Sequence, residues 1–278
     1  MSSATVRAAE GIALSVICPT RNLTELADQD PPTVHYLAAH RILTDVPYVD
    51  FYRDQGNRGA HLIVDNGAFE LGSPLSSAAL LHAARMVGAH EVVLPDYLHD
   101  GTSTWAASSA AARELMDNEY GIGLCGVVQG ADDLDWYRCL ERMTECAFLD
   151  SIALPAPKRS DSSGPAFNRI AATAYMAERG LVDPNICYRL LGLSDSGDIE
   201  LARQRRHTWI KSVDCATPVV MAALNIAILP GEGYRKPELS VEHIDSLNSS
   251  MLALARSNVT VLREAAGCDI RFPHAVTT

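Results

Sequence analysis

Positive charge is scarce in this chain. Lysine and arginine number 23 against 34 aspartates and glutamates, a formal net charge of −11. A protein held on nucleic acid by its overall field is basic. Any such contact here must therefore be local and built from a few placed cations. Aromatic residues are only 6% of the chain, few for the aromatic platforms that bind sugars. The seven cysteines stand at 18, 125, 139, 146, 187, 215 and 268, with no Cys-x-x-Cys pair. That spacing gives no zinc site of the usual kind and fits buried thiols in a reducing cytoplasm. No His-x-His or His-Glu-x-x-His occurs, so metal-assisted hydrolysis has no motif behind it. No apolar run reaches the roughly 18–20 residues that span a bilayer. The opening MSSATVRAAEG lacks the apolar core of a signal peptide. The expectation is a cytoplasmic chain without a membrane partner.

Seven short apolar runs are present instead, each followed by a polar turn and a helical stretch. They lie at 12–18, 61–65, 91–96, 123–130, 151–155, 187–193 and 210–216. Near-continuous apolar runs read as strands covered on both faces. The spacing predicts helices at 74–88, 103–118, 132–147, 165–180 and 198–209, and a long one near 240–266. Such alternation means a mostly parallel sheet. Seven strands over 278 residues favour a closed (β/α)8 TIM barrel, one domain over 1–278, above an open doubly wound sheet. No Gly-x-Gly-x-x-Gly follows the first strand, so a dinucleotide fold has little support. The eighth strand is left open: LNIAIL, 224–229, reads either as that strand or as the end of a helix starting at Pro218.

The run HLIVDNGAFELG, 61–72, ends its apolar part on Asp65 followed by Asn-Gly. Asn-Gly is a hairpin signal. The next stretch, SPLSSAALLHAARMVGAH, reads as a helix instead, with Ser73 as N-cap and Pro74 at the first helical position. Asp65 is thus placed at the carboxyl end of a strand, the edge where parallel α/β folds bind ligands. Asp96, Gln129 and Asp214 have the same placement on other strands. In a barrel these ends converge on one pocket. Two converging carboxylates suit displacement at a sugar carbon, one attacking and the other moving a proton. A further carboxylate and an amide suit the polar edge of a purine.

These segments resemble a known family, the queuine and archaeosine tRNA-guanine transglycosylases. VDNGAFELG resembles the family's Asp-Ser-Gly-Gly-Phe segment, and VLPD its aspartate at the end of a strand. GVVQG is similar to its Val-Gln-Gly, YRLLGL to its Leu-Met-Gly, and SVDCATP to its Phe-Asp-Cys-x-x-Pro. The five segments keep the family's order from residue 61 to 218; residues 1–60 and 230–278 match poorly. The family's zinc-binding subdomain has no counterpart here. TPVVMAALN stands where the family has an Arg-containing segment that meets tRNA, and Ala68 replaces a glycine. In these departures the chain looks most like the short, zinc-free DNA-guanine transglycosylases of phages.

The resemblance implies a barrel that exchanges guanine in DNA for a free 7-deazaguanine base, with no metal or organic cofactor. It implies Asp214 as nucleophile and Asp65 as general acid and base. Asp96 and Gln129 would read the purine edge, backbone groups of Gly192 and Leu193 would add contacts, and Phe69 would stack on the base. As nucleic-acid contacts we expect Lys158, Arg159, Arg235 and Lys236, cations on loops of the active face, and DNA presented single-stranded or base-flipped. The loop 155–165 is a lid in this reading. His99, three residues after Asp96, reads as a satisfied loop histidine in preference to a pocket residue. ARQRRH, 202–207, is placed on the opposite face, at a helix C-terminus. The alternatives are exchange in tRNA, a retaining glycoside hydrolase using Asp65 and Asp214, and a catalytically inactive partner subunit.

Overall fold

The computed structural model describes residues 11–28, 33–116, 121–156 and 168–268. Strands and helices alternate through them as β1 (Ala13–Val16), α1 (Leu23–Leu26), β2 (Val34–Ala38), α2 (Ala39–Ile42), α3 (Val46–Asn57), β3 (His61–Asp65), α4 (Ala68–Leu71), α5 (Ser77–Val87) and β4 (Glu91–Val93). Next come α6 (Gly101–Met116), β5 (Gly123–Val127), α7 (Asp133–Thr144), β6 (Ser151–Pro155), α8 (Arg169–Arg179), β7 (Cys187–Leu191), α9 (Gly197–Gln204), β8 (Ile210–Cys215), α10 (Thr217–Ala223) and α11 (Ser249–Ala266). All strand pairs are parallel, in the order β1-β8-β7-β6-β5-β4-β3-β2. The ring closes where β1 meets β2: the Tyr36 amide donates to Ser15 Oγ at 3.0 Å. The result is a nearly closed TIM barrel.

Residues two apart in a strand share a face. Ala13, Val34, Tyr36, Ile63, Val93, Cys125, Val127 and Ala153 form an apolar cluster inside the ring. The same alternation carries His61, Glu91, Ser151, Arg189 and Ser212 to the floor of the barrel and Asp65, Gln129 and Asp214 to its mouth. The other face of each strand packs against the helices in the main core; Leu62 and Val64 of β3 are fully buried there. At the chain's end α11 closes the ring, the Ile12 amide donating to Ala266 O at 3.0 Å.

Two expectations need correction. The eighth strand is Val34–Ala38, not 224–229. His35 interrupts VHYLA and hides the run. In the fold His35 is fully buried with its ring edge-on to Tyr52, and burial pushes its pKa down to about 4, so it behaves as a neutral, apolar-packed side chain. Residues 224–229 are the turn after α10, with Leu224, Ile226 and Leu229 exposed and Asn225 at φ 56°. The helix expected from Pro74 begins at Ser77, capped by Ser76, whose Oγ accepts from the Ala79 amide. The Leu75 amide is held by Asn66 O at 2.9 Å, which keeps 73–75 out of the helix.

Candidate active site

Asp65 ends β3, and the Asn-Gly after it serves the carboxylate. Gly67 adopts φ 78°, a left-handed conformation that favours glycine. The turn brings the Gly67 amide back onto Asp65 Oδ2 at 2.9 Å. Asn66 is buried and fully satisfied. Its Nδ2 donates to Leu94 O at 2.7 Å and Asp96 Oδ1 at 2.8 Å, and its Oδ1 accepts from the Ala68 amide at 2.7 Å.

Asp96, 6% exposed, therefore has one oxygen held by Asn66. Its other oxygen accepts from Gln129 Nε2 at 2.6 Å. Gln129 Oε1 accepts from the His99 amide at 3.2 Å. His99 contributes this backbone group from a left-handed conformation, φ 63°. The Gln129 amide is thereby fixed in one orientation. Gly130 is required next to it because α7 leaves no room: a Cβ there would lie 2.4 Å from the Trp136 amide nitrogen. Gly130→Ala is expected to lower stability by about 1–3 kcal/mol, as overpacking does, and to displace Gln129. Thermal unfolding checks the first and base affinity the second.

Asp214 ends β8, and its Oδ1 accepts from the Gly192 amide at 2.8 Å. Gly192 sits at φ 63° just after β7. Lys236, expected as a nucleic-acid contact, donates to Leu193 O at 3.0 Å, near enough for its charge to favour the ionised form of Asp214. Leu193 buries its side chain and offers only backbone. Arg235 is exposed. Lys158 and Arg159, and the expected lid beyond Ala156, lie outside the described residues. Phe69 is 73% exposed on α4 at the rim, free of core packing. α4 and the loop after β4 flank a pocket of about 320 Å³ lined by Ala68, Gly72, Ser73, Asp96, Tyr97 and Leu98 among others.

The two barrel-mouth aspartates have different electrostatic surroundings. Burial pushes the Asp65 carboxyl well above the usual range, and the negative charge of Glu70 adds to that. The Gly67 amide opposes the shift, while Asp96 and Asp214 raise it further. Burial also raises Asp214, but the Gly192 amide, Lys236 and Arg169 all pull it back. Asp65 is left with carboxylates around it, and Asp214 with donors and cations. Burial raises Asp96 too, against the amide donors of Asn66 and Gln129.

Three contributors escape a reading of the sequence. Asn66 reads as a turn residue, Glu70 stands beside Phe69 without a motif of its own, and the His99 amide carries no side-chain signal. Among the described residues no group of three or more His, Cys, Asp or Glu is placed to hold a metal ion, and no helix is long and apolar enough to cross a membrane.

Neither a protein-family model nor a curated protein matches this sequence. Among solved structures the chain is similar to the YdjI aldolase from Escherichia coli K12, with a TM-score of 0.54, 14% identity, and 94% of this chain and 92% of that one covered. At that identity the likeness is one of fold alone.

Proposed function

We propose that this barrel is an enzyme, a base-exchanging guanine transglycosylase that acts on DNA. The observation that carries the reading is the unequal setting of Asp65 and Asp214. Carboxylates with separated environments divide acid and nucleophile work between them. Asp214, with its Oδ1 oriented by the Gly192 amide, attacks C1′ through Oδ2. The C1′–N bond breaks, and guanine leaves with the proton of Asp65. The incoming 7-deazaguanine returns its ring N–H proton to Asp65 and displaces Asp214 from C1′. Two inversions retain configuration, and the covalent intermediate implies ping-pong kinetics.

Hydrogen-bond capacity supports a guanine-like base. A carboxylate accepts about four hydrogen bonds, and a primary amide donates two. Asp96 has used two acceptor positions and Gln129 one donor. The remainder, two acceptors and one donor, complements the two N–H groups and the carbonyl oxygen of a guanine edge. Asp96→Asn is expected to lower kcat/KM for base exchange by about 100-fold or more, since two charge-assisted bonds of roughly 1.5–3 kcal/mol each are lost. Adenine uptake by the variant checks that the loss is one of edge recognition.

DNA is preferred over tRNA because α10, in the place of the family's tRNA-contacting segment, buries Thr217, Pro218, Val219, Val220, Met221 and Ala222. It has no cation to offer a phosphate. Radiolabelled guanine offered with DNA and with tRNA tests the reading. Uptake into DNA supports it, uptake into tRNA alone changes the polymer, and uptake into neither refutes it.

A further inference from the structure

Arg169 occupies a position that its own helix does not explain. It is the first residue of α8, where a cation meets the positive end of the helix dipole. It is also 2% exposed, rare for arginine. Its partners account for it. Nε donates to Glu200 Oε1 at 2.6 Å and Nη2 to Glu200 Oε2 at 3.0 Å, a bidentate pair. Nη1 donates to Leu154 O at 2.7 Å and Leu191 O at 3.0 Å, and Nη2 to Gly192 O at 2.9 Å. Guanidinium has five N–H groups, and each has an acceptor.

The carbonyls are the informative partners. Leu191 O and the Gly192 amide belong to one peptide unit, which is planar and trans. Its C=O and N–H therefore point in opposite directions. Arg169 and the Ala156 amide, at 2.7 Å, both hold the oxygen. Arg169 also holds the next carbonyl, Gly192 O. With the oxygen gripped and the following carbonyl fixed, the N–H is aimed at Asp214 Oδ1, 2.8 Å away. Hydrogen bonding at one end of a peptide polarises the other.

We infer that Arg169, set by Glu200, is a positioning residue: it orients the Leu191–Gly192 peptide so that the Gly192 amide holds the Asp214 carboxylate for attack. Arg169 does not touch the substrate; it orients Asp214 through one peptide, and its charge adds to that of Lys236 in favouring the ionised carboxylate. The inference rests on the proposed function for its catalytic meaning, but its geometry can be tested without activity.

The test is a carboxyl titration by 13C NMR, with the Asp214 signal assigned by its loss in Asp214→Asn. It is run on wild type, Glu200→Gln and Arg169→Lys. A donor to the charged form lowers a carboxyl pKa, so loosening the Gly192 amide raises that of Asp214. The expected upward shift is about one pH unit in Arg169→Lys, and a smaller one in Glu200→Gln, where loss of the Glu200 charge opposes it. Arg169→Lys keeps the cation whose charge helps hold Asp214 ionised and so isolates the peptide, whereas Glu200→Gln also removes an anion, which by charge alone lowers the Asp214 pKa; Lys236, Asp65 and Glu70 are unchanged in both. Exchange activity is expected to fall about 10-fold or more through kcat, with KM for the free base unchanged and the acid limb of the rate profile moved up by the same amount. A merely structural role would lower the folded fraction and leave the titration where it was. A midpoint that stays put in folded Arg169→Lys overturns the inference. Should that variant fail to fold, amide hydrogen exchange in the wild type decides: the Gly192 N–H is expected among the protected amides, and rapid exchange there overturns the proposal. Absence of exchange activity in the wild type would refute the proposed function, while the titration would still judge the positioning.

Discussion

Asp214→Ala is expected to abolish guanine exchange, by about 10⁴-fold or more in kcat, because removal of a covalent nucleophile leaves only binding and electrostatics to act. The variant should still bind free base, since Asp96 and Gln129 are untouched. Two measurements check this: incorporation of labelled guanine, and a covalent protein–DNA adduct resolved under denaturing conditions. The adduct should be present in wild type and missing from the variant. Undiminished exchange by Asp214→Ala would sink the nucleophile assignment. Asp65→Asn gives a contrast. Asparagine keeps an oxygen for the Gly67 amide but can neither give nor take the proton, so the expected loss is the roughly 10²–10⁴-fold typical of general acid–base groups. The pH profile has a defined sign. Asp214 must be ionised, so activity falls as pH drops through its pKa. Asp65 must be protonated for the first step, so activity falls as pH rises through its own. Both carboxyls are raised, Asp65 strongly. The bell is therefore displaced toward neutral pH relative to ordinary carboxylates. Glu70→Gln removes the charge that most raises Asp65, and should shift the upper limb downward.

The placement of Asp65 and Asp214 is legible in the sequence because strand periodicity is simple. Each closes an apolar run, and the run's own alternation carries it to the barrel mouth. Gln129 is legible for the same reason, but Asp96 has the parity of Val92 and Leu94, which face the helices, and the chain beyond β4 brings it to Asn66 and Gln129. The strand Val34–Ala38 is not legible, because a histidine at its second position reads as polar until burial makes it neutral. Arg169 and Glu70 are hidden for a different reason. Nothing in NRIAATAY marks an arginine that will reach the carbonyls of Leu154, Leu191 and Gly192. Those acceptors are backbone atoms brought together only by the closed ring. Lys236 illustrates the same limit. Its loop position suggests a phosphate partner, and the contact that no sequence pattern marks, to Leu193 O, is again with a backbone atom.

The floor of the barrel carries the largest expected effect on stability. Glu91 is 3% exposed and Arg189 7%. Arg189 donates to Glu91 through Nη2 at 2.8 Å and Nε at 3.2 Å, and its Nη1 donates to Ser212 Oγ at 3.1 Å. Glu91 also pairs with His61 Nε2 at 3.1 Å and accepts from Ser151 Oγ. Arg189→Met leaves a buried carboxylate without its cation, and breaking such a pair typically costs about 3–5 kcal/mol. For a domain this large, at roughly 2–4 °C per kcal/mol, the expected fall in Tm is about 6–20 °C. The double variant Glu91→Leu, Arg189→Met should recover most of it, because an apolar pair of similar volume requires no desolvation of charge. The pH dependence comes from Glu91. Burial pushes its carboxyl up, but His61, Arg189 and Ser151 together overcome that and hold it at about 2, below the ordinary 4.5. Its stabilising contribution is therefore complete above 4.5 and lost as pH falls through about 2. In Arg189→Met the carboxyl takes up a proton more readily. The deficit of that variant against wild type must then narrow between about pH 7 and about pH 3, as thermal melts at the two pH values would show. A gap of constant size would mean that the floor is held by packing, with the Glu91–Arg189 pair contributing little.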